Sequence, residues 1–460
     1  MAKFDACIIG AGPAGYHAAI RASQLGGRVV LVEEREVGGL CLNRGCIPTK
    51  ALLHSVHLLK EMERGEEYGL RVEGLRVDLP SMRRRAEEVV KRLIKGLRGV
   101  LSSYGVQILE GKGRPLSGRE VEVVGRDGDR RTVKCENLVI ATGSRPLRRW
   151  SAGGLIPDEE AWRLDEPPES LIILGGNAVG VELAQLYSIL GAETTIVEEE
   201  PRILPEFDEE VAARLQRTLR RDGIKILTAS RAEEVRDGRG GVEILLNNGE
   251  VLRAEKAVTT ERTVNTSGLG LPGLGVRTRD GFIVVNERME TGVEGIYAAG
   301  DVTGGSSAQE AFLQGTVAAE NLMGGDSSTT GRAVPRCIYT APEAASIGMT
   351  EEEARERGLP VKVGRFPFSA SGRALCMGEG EGFVKMVVDA RYGEILGVHM
   401  IGPKVTELAG AVSLAMVLEA TPESLAGAVF PHPTLSEALK EAALSVLGWS
   451  IHLPRPRRHA

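Results

Sequence analysis

The chain has 460 residues, 42% hydrophobic and 26% charged, with 58 glycines and a net charge of −6. That length suits about three domains, and the acidic balance argues against a nucleic-acid-binding protein, which needs surplus Lys and Arg. Six cysteines fit a reducing compartment, so a cytoplasmic location is expected, and no leader precedes the first strand.

An apolar strand is predicted over 4–9, and Gly10-Ala11-Gly12-Pro13-Ala14-Gly15 follows it. A helix then runs to Gln24, and a strand over 28–32 leads into Glu33. The glycines at 10, 12 and 15 serve a tight turn, close approach of a pyrophosphate, and helix–strand packing. Glu33, about twenty residues on, is placed to bond a ribose diol. Strand, glycine turn, helix and acid together mark a dinucleotide site.

Cys41 and Cys46 come directly after this unit, in the run 38–50, within reach of a bound cofactor. In a regular helix five residues rise about 7.5 Å, whereas a disulfide needs Cα atoms roughly 4.4–6.8 Å apart. The stretch between them cannot be plain helix if a bridge forms, and Asn43 and Gly45 supply turn residues. Pro48 fits the first turn of a helix over about 47–62. Cys46 then sits at a helix N-terminus, where the dipole favours a thiolate. A lasting bridge in a reducing compartment would be catalytic rather than structural. His54 and His57 follow on that helix and read as packing or surface residues, since no third metal ligand is evident.

The segment 78–101 reads as a long charged helix. A strand over 138–141 ends in Thr142-Gly143-Ser144-Arg145-Pro146. A second nucleotide motif begins at Leu171: an apolar strand, then Gly175-Gly176-Asn177-Ala178-Val179-Gly180 and a helix carrying Glu182. The next strand, 193–197, ends in Glu198. Glycines and charges inside 171–192 exclude a membrane span. Asn177 replaces the middle glycine; it tolerates positive φ, so the turn can survive, but its side chain would crowd a pyrophosphate. Glu198 would repel a 2′-phosphate and so favours NAD over NADP. Gly300-Asp301 closes a further strand, and a helix follows Ser307.

Near the C-terminus, His432 lies between two prolines and Glu437 follows five residues later, near a helix start. A carboxylate beside an imidazole orients it and favours its charged form. The pair suits a base that deprotonates a dithiol and returns the proton to a leaving sulfur. Cys7 and Cys135 (the latter at a strand end), Cys337 and Cys376 show no partner spacing, and 454–459 reads as a basic, frayed tail.

This ordered set resembles the flavin-dependent disulfide oxidoreductases of the pyridine-nucleotide class, the dihydrolipoamide dehydrogenase branch above all. The shared motifs also include Tyr339-Thr340-Ala341-Pro342-Glu343 and His432-Pro433-Thr434-Leu435-Ser436-Glu437. The resemblance implies an α/β fold of two Rossmann-like dinucleotide-binding domains plus an α+β C-terminal dimerisation domain. The FAD-binding domain would take 1–145, completed by 267–335; the NAD-binding domain 146–266; and the interface domain, expected to hold a mixed sheet, 336–460. FAD would use Gly10, Gly12, Pro13, Ala14, Gly15, Glu33, Thr142, Gly143 and Asp301, the last on the ribityl chain. NAD would use Gly175, Val179, Gly180 and Glu198. Lys50 and Glu182 would pair beside the flavin, with Cys41 the outer sulfur and Cys46 the one next to the ring. Electrons would pass from a substrate dithiol through the disulfide and flavin to NAD.

A homodimer is implied, with His432 reaching the partner's disulfide, acting on a lipoyl-bearing protein or a small disulfide. The alternatives are a reductase of another disulfide and a non-catalytic subunit docked on a lipoyl complex. Two departures stand out: Glu261-Arg262-Thr263-Val264-Asn265 where the family commonly has Gly-Arg-x-Pro-Asn, and Gln309-Glu310 where His-Lys is common.

Overall fold

The computed structural model describes residues 3–305 and 307–454, so the basic run at 455–459 lies outside the described residues. Strands Gln107–Glu110, Val29–Glu33, Phe4–Ile9, Arg130–Ile140 and Ile296–Ala298 form a parallel sheet in that order. Strand Arg130–Ile140 belongs to two layers. Its first half pairs antiparallel with Glu120–Val124, and its second half runs parallel to Phe4–Ile9. Cys135 is therefore inside a strand rather than at its end, because the strand continues where it changes partners. It hydrogen-bonds Cys7 in the core, and both side chains are fully buried.

The same plan recurs. Strands Lys225–Leu227, Glu193–Val197, Ser170–Leu174, Lys256–Thr259 and Leu155–Pro157 make a second parallel sheet. A three-stranded antiparallel layer, residues 232–254, packs beside it. Buried Val, Ile and Leu runs suit strands covered on both faces. A helix follows each glycine turn: Pro13–Gln24 joins Phe4–Ile9 to Val29–Glu33, and Ala178–Ile189 joins Ser170–Leu174 to Glu193–Val197. Helix Leu79–Ser103 is capped by Asp78, which accepts from Ser81 N at 2.9 Å.

The third sheet joins Arg336–Ile338, Glu343–Gly348, Ile395–Gly402, Phe383–Asp389 and Val361–Pro367. It is wholly antiparallel, not mixed. Its neighbouring strands need no helical crossover of the kind a parallel pair requires. Helices Val405–Val417 and Glu437–Leu447 pack with it. Among the described residues no helix is long and apolar enough to cross a membrane.

Lys385 pins this third sheet to the second. Its side chain is 3% exposed, and its ammonium lies 2.8 Å from Asp208, 2.8 Å from Glu210 and 2.9 Å from Glu351. Removing one partner of a buried ion cluster leaves uncompensated charge, so Lys385→Ala is expected to lose about 3–5 kcal/mol of stability. Chemical denaturation would show it; an unchanged midpoint would refute the role. Arg365 and then Lys385 hold Glu210 down to about 2. Its folded pKa is depressed, so its contribution is complete above the ordinary carboxylate range. It is lost as pH falls from there through about 2.

Candidate active site

Several distant chain segments converge on one groove of about 270 Å³. The first nucleotide motif supplies Gly10, Gly12, Pro13, Ala14 and Glu33, and the dithiol segment supplies Cys41, Cys46 and Lys50. Strand ends bring Thr142, Gly143 and Asp301, and the second motif contributes Val179 and Glu182. An adjoining groove of about 800 Å³ shares Gly10, Glu33 and Thr142, which extends the space toward Gly111 and Gly113.

The first turn is built for a dinucleotide. A Cβ on Gly10 would lie 2.2 Å from Ala141 O, and one on Gly15 1.8 Å from Gly10 O, so strand, turn and helix cross too closely for any side chain. A Cβ on Gly12 would meet only Gly39 Cα, at 3.8 Å, leaving the groove side bare. Glu33 accepts from Ala11 N at 2.6 Å and Arg35 N at 2.7 Å. Its oxygens keep further lone pairs for a ribose, and burial raises its pKa. Asp301 accepts from Ser144 Oγ at 2.5 Å. These residues fit an FAD.

The two cysteines stand on different helices. Cys41 belongs to the short helix Gly39–Asn43, and Cys46 is the first residue of Cys46–Glu63. Arg44 and Gly45 break the path between them, as the spacing requires. The thiols hydrogen-bond each other, and that bond lowers Cys46 while raising Cys41 well above the thiol range. Burial opposes ionisation of Cys46, and the Lys50 ammonium favours it. Of the two thiols, Cys46 is the one whose ionisation is favoured. Lys50 Nζ donates to Glu182 Oε2 at 2.6 Å, and Glu182 Oε1 accepts from Tyr339 N at 2.9 Å. Burial disfavours the charge on Lys50, yet Glu182 and Cys46 outweigh it, and its pKa is raised.

His432 Nδ1 lies 2.9 Å from Glu437 Oε1, while Thr434 N donates to Oε2 at 2.8 Å. The imidazole is 79% exposed and, like Glu437, is not among the described residues lining the cysteine groove. Glu437 is pulled below the usual carboxylate range by Thr434 N and His432, against its own burial. His57 is taken up by Gln185, and burial pushes it down to about 4.

A separate groove of about 370 Å³ holds Gly175, Asn177 and Glu198. Gly180 lies behind it; its Cβ would meet Gly175 O at 1.9 Å. Glu198 accepts from Gly176 N at 2.6 Å and Glu200 N at 2.8 Å, the arrangement seen at Glu33. The positive φ of this turn falls on Gly175, at 111°, not on Asn177, at −74°. Asn177 is tolerated because it caps the helix, so the expected reliance on its tolerance of positive φ is corrected.

Asp158 and Glu159, which carry no motif, line the groove beside Arg262 of the 261–265 run. Arg262 donates to Asp158 at 2.7 Å and to Ser144 Oγ at 3.0 Å. Glu159 stands 3.5 Å from Arg262 and 3.8 Å from Arg44. Asp158 and Glu159 open a four-residue helix too short for a periodic signal. Gln309 donates to Pro335 O at 2.5 Å, and Glu310 N donates to Ser307 Oγ at 3.3 Å.

Two dinucleotide-binding folds meeting at a half-buried thiol pair define an oxidoreductase that couples a nucleotide to a disulfide. The family described as pyridine nucleotide-disulphide oxidoreductase matches residues 4–315, and its dimerisation domain matches 334–443. The chain belongs to that family. It is 42% identical to the dihydrolipoyl dehydrogenase of Thermus scotoductus, covering 98% of this chain and 99% of that one. It is 38% identical to a Bacillus subtilis dihydrolipoyl dehydrogenase, covering 98% and 99%. Among solved structures it is similar to LpdA from Mycobacterium tuberculosis, with a TM-score of 0.90, 27% identity and coverage of 95% and 98%. The HOCl-induced flavoprotein disulfide reductase RclA from Escherichia coli superposes with a TM-score of 0.84, at 27% identity and coverage of 95% and 99%. The protein is a disulfide oxidoreductase that works with FAD and NAD.

Proposed function

We propose that the enzyme oxidises dihydrolipoamide, free or protein-borne, and reduces NAD⁺, working as a homodimer through a Cys41–Cys46 redox disulfide. The observation that carries this is the place of Cys46 at a helix N-terminus, with its pKa lowered. Cys46 is hydrogen-bonded to Cys41 and shares one groove with the first nucleotide motif and the Lys50–Glu182 pair. In the oxidised pair, His432 of a neighbouring subunit takes a proton from a substrate thiol. The thiolate attacks Cys41 Sγ; the S–S bond breaks and its electron pair stays on Cys46. The second substrate thiol then gives its proton to Cys41 as its sulfur attacks the first substrate sulfur; the mixed disulfide to Cys41 breaks, the lipoyl disulfide closes, and His432 keeps the first proton, balancing the Cys46 thiolate. Lys50 stabilises the Cys46 thiolate. FAD, when bound, supplies a two-electron relay between that thiolate and the nicotinamide. Glu437 orients the imidazole, and Val179 and Glu182 wall the groove.

Steady-state turnover with lipoamide, glutathione disulfide and coenzyme A disulfide, each with NADH and NADPH, tests the reading. Lipoamide with NADH should be the fastest pair. Faster turnover of either other disulfide would replace the substrate, and none with any would favour a docking subunit. NADH should exceed NADPH in kcat/KM by at least tenfold, about 1.4 kcal/mol. The reason is that Glu198 faces the position of the 2′-phosphate. Equal use would remove Glu198 from the ribose.

A further inference from the structure

The two nucleotide turns share a backbone and differ in a side chain. Gly12, before helix Pro13–Gln24, has φ −72° and ψ −174°, and that helix has no side-chain cap. Asn177, before helix Ala178–Ile189, has φ −74° and ψ −177°. Its Oδ1 accepts from Gly180 N at 3.0 Å, and its Nδ2 donates to Thr260 Oγ1 at 3.0 Å. Thr260 is itself anchored, donating to Leu174 O at 3.0 Å. The amide is thus held at both ends across the helix N-terminus. It occupies an N–H group and the space that glycine leaves open for an anion at the first turn.

The charges around this turn act in the same direction. Glu198, Glu199, Glu200 and Glu261 line the groove, and Arg149 is the one cation among the described lining residues. Glu261 Oε1 engages Arg149 at 3.5 Å, and its Oε2 is buried with no hydrogen-bond partner. A pyrophosphate here meets a filled helix N-terminus, four carboxylates and an arginine already paired.

We propose that Asn177 and Glu261 are specificity-determining residues that weaken the hold on the cofactor's pyrophosphate. The adenosine and nicotinamide ends then carry the binding, and NAD⁺ and NADH exchange readily. The inference rests on the reading that this groove takes NAD(H).

The test is calorimetric binding of ADP-ribose and of adenosine to the flavin-loaded wild type, Asn177→Gly, Glu261→Gln and the double variant. Glycine is a mild replacement at an N-cap, and glutamine keeps the volume of Glu261 while removing its charge and loosening Arg149. The ADP-ribose Kd should fall at least threefold in each single variant and at least tenfold in the double, while adenosine stays within twofold. KM for NAD⁺ should fall in step with no rise in kcat. An unchanged or weaker ADP-ribose Kd in the double variant, with adenosine bound as in wild type, overturns the inference. Neither ligand binding to any of the proteins overturns instead the assignment of the groove to NAD(H). If Asn177→Gly loses its flavin, Glu261→Gln decides the matter alone: a threefold gain supports the proposal and no gain refutes it.

Discussion

Cys41→Ser and Cys46→Ser are each expected to lower dithiol turnover by about 10⁴-fold or more, the scale of losing a covalent nucleophile, yet to differ in colour. Cys46 is the sulfur whose ionisation is favoured, by its hydrogen bond with Cys41, its place at the start of Cys46–Glu63 and the nearby Lys50. Removing Cys41 deletes the hydrogen bond but leaves the helix terminus and Lys50. The remaining thiolate, set against a bound flavin, should give a long-wavelength absorbance band. Removing Cys46 leaves Cys41, whose pKa burial raises and which is not at a helix start, so no band should appear. Titration of both variants across neutral to alkaline pH, followed by absorbance, is the measurement. A band in Cys46→Ser alone would reverse the roles of the two sulfurs.

His432→Gln and Cys46→Ser homodimers should each be nearly inactive, and refolding the two together should restore activity. The imidazole is 79% exposed and lies outside the groove that holds Cys41. Glu437 and Thr434 fix its orientation from within its own domain, so an acceptor for its proton must come from elsewhere. The chain carries a dimerisation domain over 334–443 that includes both residues. A partner subunit presenting its cysteine groove to His432 meets that need. Random pairing makes half the dimers mixed, each with one intact Cys46–His432 combination, so recovery should reach about a quarter of wild-type activity. Recovery no greater than the sum of the two mutants, with mixed dimers verified by mass, would place the base within its own chain.

Local chemistry is legible in the order of the residues. Strand Phe4–Ile9 and helix Pro13–Gln24 follow from an apolar run, a glycine turn and a proline at a helix start. Helix Cys46–Glu63 differs by one residue at each end from the expected 47–62, because helix ends fray. The second strand is shifted similarly, Val29–Glu33 rather than 28–32. The pairing of Lys50 with Glu182, 132 residues apart, follows from resemblance alone; no spacing encodes it. The cluster of Arg262, Asp158 and Glu159 is not legible in the sequence: Arg262 stands in the 261–265 run, but nothing there ties it to the two acids, which meet it only when the parallel sheets form.

The sequence by itself determined what each segment can do. Glycine turns with acids about twenty residues on accept nucleotides, and two cysteines five apart, followed by proline, form a bend rather than a helix. These rest on backbone sterics and hydrogen bonds within a few residues. The tertiary structure alone brought the Lys50 ammonium, which favours ionisation of Cys46, against Glu182. It decided that the C-terminal sheet is antiparallel, that Cys135 lies within a strand shared by two layers, and that Asn177 is locked by Thr260, just past the end of strand Lys256–Thr259. Each of these depends on which distant segments pack together, and electrostatic and packing energies are set by that proximity in space.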